Sequence, residues 1–333
     1  MKIAVIGAGA IGSVVGGLLS KAGEDVILIA RKSHIDAIKQ NGLILDGPSG
    51  QEMIRVKAAE KLDFKPDLVL LTVKTQDVKS SVMEVKPFIW GVPVVTMQNG
   101  VQSDDIVARI LGKENIISCV VVLGSIFLEP GKVSYSNPSG KTALLIGDPF
   151  SLNRNRLQII SFLLSKALPT EISEDIRGAH WTKLIMNLNN AVMAVTGLPM
   201  QECSQYSQIR KFNINLMKEG FKVMKQAGIK LAPAPGIPLS LMKTMVWIPL
   251  PISSFVLKSK IKSYGKLPVL GSTLQSIKRG KNTEIDYLNG EIVKLGKKNG
   301  IPTPFNLLIV ELVHQTETIG KFLTVDELSK KLS

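Results

Sequence analysis

Six residues near the start of the chain, Gly7-Ala8-Gly9-Ala10-Ile11-Gly12, constrain the fold more than any other stretch. They fit G-x-G-x-x-G, a weak motif alone. Here an apolar run at 3–6 precedes it and a small-residue helical pattern at 13–22 comes after, which is the context the motif requires. In a strand–turn–helix of this kind Gly7 allows the tight turn and Gly9 lets the backbone approach a pyrophosphate. Gly12 lets the helix lie close on the strand, and Gly16 extends that small face by a turn. The helix N-terminus offers N–H groups and the positive end of its dipole to phosphate. Residues 7–12 therefore read as a dinucleotide loop, the alternative being an empty strand–helix turn.

The rest of the first half supports a doubly wound sheet. Apolar runs at 3–6, 26–30, 68–73, 92–97 and 116–122 read as buried parallel strands. Helical patterns at 13–22, 78–88 and 102–111 lie between most of them. Residues 132–136 and 142–146, separated by Asn137-Pro138-Ser139-Gly140, look like an antiparallel hairpin at the sheet edge. From about residue 152 long helical periods take over, at 152–167, 175–197, 205–227, 271–280, 284–299 and 304–319. A chain of 333 residues is too long for one small core. The expectation is an α/β protein: an N-terminal Rossmann-type doubly wound sheet over 1–168 and an all-α domain over 169–333.

The second strand bears on which dinucleotide binds. NAD enzymes place an acid near its end to hold the ribose 2′-hydroxyl. Here the run at 26–30 ends in Arg31-Lys32, with Arg31 nineteen residues after Gly12. A guanidinium suits a 2′-phosphate, so NADP(H) is expected; otherwise Arg31 is a solvated strand end. Two further strand ends carry polar residues. Lys74 is expected to meet cofactor phosphate or ribose. Asn99, in Gln98-Asn99-Gly100, is expected to hydrogen-bond cofactor or substrate, because a helical pattern rather than a second strand comes after the Asn-Gly pair.

The helical half carries the candidate chemistry. On a helix over 175–197, Lys183, Asn187 and Asn190 fall within roughly 60° of one another at about 100° per residue. Their neighbours are mostly apolar. A lysine and two amides on such a stripe are costly unless they face partners or a wet cleft. A lysine so placed can have its pKa lowered toward neutrality, which suits a general acid. The alternative is a lysine reaching solvent beside structural amides. His180 reads as a packing residue. Downstream, Ser272 and Glu284 are placed at the cleft, although Thr283 with Asp286 also fits a capping box in which Glu284 only complements a helix dipole.

Taken in order, Gly7–Gly12, Arg31, Val73-Lys74, Gln98-Asn99-Gly100, Trp181-x-Lys183-Leu184-x-x-Asn187, and Ser272-x-Leu274-Gln275 through Thr283-Glu284-Ile285-Asp286-Tyr287-x-Asn289-Gly290 make the chain resemble the ketopantoate reductases over nearly its whole length. The resemblance implies NADPH-dependent reduction of 2-dehydropantoate to (R)-pantoate, on the route to pantothenate and coenzyme A, in a cleft between the two domains. It implies Lys183 as proton donor and Asn99 between nicotinamide and substrate. It further implies Asn187 and Ser272 as substrate-binding residues and Glu284 against the cofactor. The family usually carries a second asparagine eight residues after the lysine. That position is Ala191 here, with Asn190 one residue early, and Ser276 stands where an acid is common. A reductase of the same fold acting on another branched 2-keto acid is therefore the alternative, and a non-catalytic NADP(H) sensor a more distant one.

Composition sets the remaining expectations. The three histidines and the two distant cysteines, Cys119 and Cys203, form no metal motif, and the cysteine usage suits a reducing cytosol, so a cytoplasmic protein without metal is expected. No secretory leader is expected, because Gly7 and Gly9 break the first apolar run. The net charge is +14, but the lysines are spread out and aromatics, at 5%, do not interleave with the densest cluster at 258–266, so nucleic acid is not an expected partner. The apolar segment 245–257 contains Pro249 and Pro251 and is too short to span a bilayer. It reads as buried or as part of an apolar interface, contact with a membrane being the alternative, and no membrane partner is expected. The long helices leave a homodimer open.

Overall fold

Runs of valine, isoleucine and leucine without polar alternation need cover on both faces, and they form the centre of the first half. The computed structural model describes residues 1–137, 142–152, 154–262 and 268–332. Its strands are β1 (Lys2–Ile6), β2 (Asp25–Ile29), β3 (Leu43–Gly47), β4 (Gly50–Ile54), β5 (Lys57–Ala59), β6 (Leu68–Leu71), β7 (Val94–Thr96), β8 (Ile116–Val121), β9 (Gly124–Glu129), β10 (Lys132–Ser136), β11 (Leu144–Gly147) and β12 (Thr170–Ile172). The main sheet has the order β12-β11-β8-β7-β6-β1-β2-β5. It is parallel from β8 to β5, and β11 runs antiparallel to β8. The chain passes outward from β1 to β2 and β5, then returns to β6 on the other side of β1. That reversal opens a crevice at the carboxyl ends of β1 and β6, where such sheets bind ligands.

Helices α1 (Ala10–Lys21), α2 (Lys32–Asn41), α3 (Val78–Ile89), α4 (Ser103–Leu111) and α5 (Arg154–Ser165) accompany the strands. α1 lies between two sheets, and its glycines explain how. A Cβ on Gly16 would strike Leu28 at 2.6 Å and Val5 at 2.9 Å, on the main sheet. A Cβ on Gly17 would strike Leu43 at 2.8 Å, on a second sheet of order β4-β3-β10-β9. That second sheet corrects the expected hairpin. β10 pairs with β9 and β3, whereas β11 pairs with β8 and β12. The burial patterns give the reason. LLIG of β11 is buried throughout and needs a covered sheet, while KVSYS of β10 buries only Val133 fully. Of the expected turn, Pro138, Ser139 and Gly140 lie outside the described residues.

Two compact units result, one of Met1–His180 with Ala234–Gly236 and one of Trp181–Pro233 with Ile237–Ser333. β12 lies beyond residue 168 and still belongs to the main sheet. The second unit takes up α6 (Ile176–Asn187) from Trp181 onward. It continues through α7 (Asn190–Thr196), α8 (Met200–Cys203), α9 (Ser207–Gln226), α10 (Leu239–Met245), α11 (Leu250–Lys262), α12 (Ser272–Lys278), α13 (Asn289–Lys298), α14 (Pro304–Ile319) and α15 (Val325–Leu332). Its core is the buried face of α9, where Phe212 meets Phe305 of α14 edge to face at 5.7 Å.

Two expected helices are modified. The helix expected over 175–197 is broken at Leu188-Asn189, where the Leu188 carbonyl accepts from the Asn289 side chain at 3.2 Å. The helix expected over 284–299 begins as a 3-10 turn at Ile285–Tyr287 and becomes α-helical only at Asn289.

Candidate active site

In the first unit the loops after β1, β2, β6 and β7 are stitched together. Gly7 has φ +90°, and a Cβ there would lie 2.4 Å from Val73 Cγ1 and 2.7 Å from the Val73 nitrogen, so only glycine fits. A Cβ on Gly12 would lie 2.4 Å from Thr72 Oγ1. Around Gly9, its chain neighbours aside, Gly7 O at 3.8 Å would be the only atom of the described residues within 4 Å. The backbone is therefore packed shut at Gly7 and Gly12 and open at Gly9, between them, which is the cradle a pyrophosphate needs. No side chain caps α1, so the first-turn N–H groups from Ala10 to Gly12 are available to an anion. The residues present thus fit a dinucleotide.

Gly7 and Ala8 donate to the Ile29 carbonyl at 3.0 and 2.9 Å, which ties the loop to the end of β2. Arg31 comes two residues later, exposed, as the residue that opens α2. Thr72 Oγ1 donates to Gly7 O at 2.9 Å, and half-buried Lys74 comes next but one. The Gln98 amide donates to the Leu71 carbonyl at 2.7 Å and to that of Val73 at 3.1 Å. Thr75 Oγ1 donates to the Asn99 carbonyl at 2.9 Å. The glycine loop, Arg31, Lys74 and Asn99 thus share one rim of the sheet.

Behind this rim lie two buried polar chains that sequence reasoning missed. Gly131 N–H donates to His34 Nδ1 at 2.8 Å, so Nε2 carries the proton and meets Ser13 Oγ at 3.0 Å, and Ser13 Oγ donates to the Ala8 carbonyl at 3.2 Å. Burial lowers the His34 pKa from 6.5 to about 4 and keeps the ring neutral. Under the Asn99 loop, Ser118 Oγ donates to Asp104 at 2.7 Å and meets His180 Nε2 at 2.7 Å. His180 is buried, and it is held by this chain.

In the second unit Lys183 and Asn187 lie one turn apart on α6, both half-buried. Asn190 opens α7 and its amide reaches Asn187 Oδ1 at 3.4 Å, a long bond that brings the two amides together across the helix break. Gly271 packs against Asn190: a Cβ there would lie 3.0 Å from the Asn190 side chain and 2.7 Å from Met193 Cε. Ser272, the first residue of α12, is next in the chain. The Asn187 and Asn190 amides thus meet one turn from Lys183, and the start of α12, with Ser272 next to Gly271, packs beside Asn190.

Glu284 stands on a different element, anchored to α14. Thr283 N–H donates to Glu317 at 2.6 Å, and His314 bridges Glu317 at 2.9 Å and Asp286 at 3.1 Å. Asp286 therefore turns to His314 rather than closing a capping box. Asn289 joins the Leu188 carbonyl to Asn306 at 3.0 Å, and Asn306 donates to Glu219 at 2.7 Å. Burial raises the Glu219 pKa, and donors from Phe305 and Asn306 offset part of the rise. Asn289 figured in the sequence only as part of the Thr283–Gly290 motif, and Asn306 and Glu219 gave no local signal because they pair with each other 87 residues apart. Among the described residues no His, Cys, Asp and Glu group is placed to hold a metal, and no helix is long and apolar enough to cross a membrane.

Two family models match the chain: Ketopantoate reductase PanE/ApbA over residues 3–148, and Ketopantoate reductase PanE/ApbA C terminal over 175–317. A 2-dehydropantoate 2-reductase from Pyrococcus horikoshii is 32% identical over 96% of this chain and 99% of its own length. The chain belongs to the ketopantoate reductase family. It is an oxidoreductase built for a nicotinamide cofactor. A PanE/ApbA family ketopantoate reductase from Ralstonia eutropha JMP134 is likewise 32% identical and superposes with a TM-score of 0.79, covering 96% of this chain and 99% of that one. D-mandelate dehydrogenase, solved with NADH and anilino(oxo)acetate, shares the fold at 24% identity and a TM-score of 0.78, over 96% and 99% of the two chains. One fold hosts different substrates, so the choice of substrate has to be argued from side chains.

Proposed function

We propose that the chain reduces 2-dehydropantoate to (R)-pantoate with NADPH, in pantothenate synthesis. The meeting of the Asn187 and Asn190 amides one turn from Lys183, with the start of α12 at Ser272 packed beside Asn190, carries this reading. Two amides and a hydroxyl supply donors and acceptors for the carboxylate and hydroxyl of a small hydroxylated keto acid. Ala191 removes the amide usual eight residues after the lysine, and the Asn190–Asn187 bond supports Asn190 as its replacement. The reduced dinucleotide, when bound, supplies the hydride. Gly7–Gly12 hold its pyrophosphate, Arg31 its 2′-phosphate, and Lys74, Asn99 and Glu284 contact the rest of it. Lys183 gives a proton to the substrate's carbonyl oxygen as negative charge gathers there and, while still charged, stabilises that charge.

The test is Lys183→Ala. Turnover should fall by about 10²–10⁴-fold, the range for loss of a positioned acid, with NADPH affinity retained. Unchanged turnover would remove Lys183 from this role. A second reading, reduction of another branched 2-keto acid, draws on the same Ala191 departure and is separated from the first by the choice of substrate alone.

A further inference from the structure

The positive charge of the second unit is confined in an unusual way. Between Glu219 and Glu284 every charged residue is Lys or Arg. Glu219 itself is buried and turned toward Asn306, so the charged residues that α9 exposes, Lys211, Lys222 and Lys225, are all cations. α11 packs on α9 and extends this surface. Ile252, Phe255, Lys258, Ser259 and Lys262 of α11 are all exposed and fall on one arc of roughly 120°. Ser253, Ser254 and Ile261 are the buried face. The exposed arc is apolar at its N-terminal half and cationic at its C-terminal half.

The apolar half is large for a surface. Phe255 is 73% exposed and Ile252 54%, and Trp247, in the link from α10 to α11, is 55% exposed with Lys218 of α9 5.5 Å from its ring. α11 is not amphipathic around its axis, but exposed aromatic side chains beside lysines suit contact with an anionic bilayer surface, apolar groups at the acyl boundary and ammonium groups among the headgroups. An anionic surface complements the arc over its whole length, whereas a second copy of this chain would have to meet it at the apolar end alone to keep Lys258 and Lys262 of the two copies apart. α8, which also packs on α11, carries one acid, Glu202, too little to neutralise them.

We infer that the face formed by Trp247, Ile252, Phe255, Lys258 and Lys262 docks reversibly on anionic membrane surfaces. The binding is peripheral and does not rest on the reductase reading. It departs from the expectation that no membrane is a partner and takes up the alternative, membrane contact, left open for the segment 245–257.

The test is co-sedimentation of the full chain with phosphatidylcholine vesicles carrying about 30% phosphatidylserine, against pure phosphatidylcholine. Binding should be at least ~10-fold stronger to the anionic vesicles and should fall as salt is raised. Two variants separate the contributions: Trp247→Ser with Phe255→Ser, and Lys258→Glu with Lys262→Glu. Each should lose most of the binding while keeping the thermal midpoint and NADPH affinity of the parent. Equal binding to both vesicle types, no binding to either, or unchanged binding by both variants would overturn the proposal. So would a concentration-dependent dimer that Phe255→Ser breaks in the absence of lipid, which would assign the face to a second copy.

Discussion

Arg31 and Lys183 are single side chains with separable consequences. Arg31 stands two residues after β2, where an acid would favour a free ribose. Arg31→Ala should weaken NADPH binding by at least ~10-fold, in line with the loss of a charge-assisted bond, and leave NADH binding unchanged in a fluorescence titration. Equal losses for both cofactors would remove the 2′-phosphate role. The places of Arg31, Lys183 and Asn187, beyond a strand end and one turn apart on a helix, were legible because each is defined by distance along the chain. His34, Ser118 and Asn306 were not. His34 finds Gly131, Ser118 finds His180 and Asn306 finds Glu219, and no local pattern announces such pairs.

Elements set where the glycines matter. α1 rests on the main sheet at Gly12 and Gly16 and on the second sheet at Gly17, so its small residues are packing requirements on two sides. Gly9 differs, since its neighbourhood is open. Gly12→Val should destabilise the fold by about 1–3 kcal/mol in a urea titration, through overpacking against Thr72 and Val5. Gly9→Val should leave that stability nearly unchanged and abolish dinucleotide binding. The opposite pairing of effects would show that Gly9 has no part in the cradle. The main sheet was readable because continuous apolar runs demand two covered faces. The second sheet was missed because its strands alternate weakly and β10 pairs with β3, far back in the chain. The break between α6 and α7 was equally hidden. An uninterrupted 3.6-residue pattern runs across it, and the carbonyl at the break is met by Asn289, about a hundred residues later.

At the scale of the whole molecule, His34 links α1, α2 and the β9–β10 turn while remaining neutral. Its pKa is lowered from 6.5 to about 4 in the fold, so the unfolded chain binds more protons between those values. The contribution is complete above about pH 6.5 and is lost as the pH falls toward about 4, amounting to roughly 3 kcal/mol at most. Unfolding by urea at pH 7 and pH 4.5 should show a stability loss that His34→Gln largely removes; an equal loss in both proteins would place the acid sensitivity elsewhere. The division of labour between the units, a dinucleotide loop at one sheet rim and a lysine with three polar groups among helices, leads to one comparison. Consumption of NADPH should be measured with 2-dehydropantoate beside a panel of other branched 2-keto acids. Rapid turnover selective for 2-dehydropantoate is the result predicted from Asn187, Asn190 and Ser272. Preference for another keto acid, or NADPH binding without turnover of any, would contradict it.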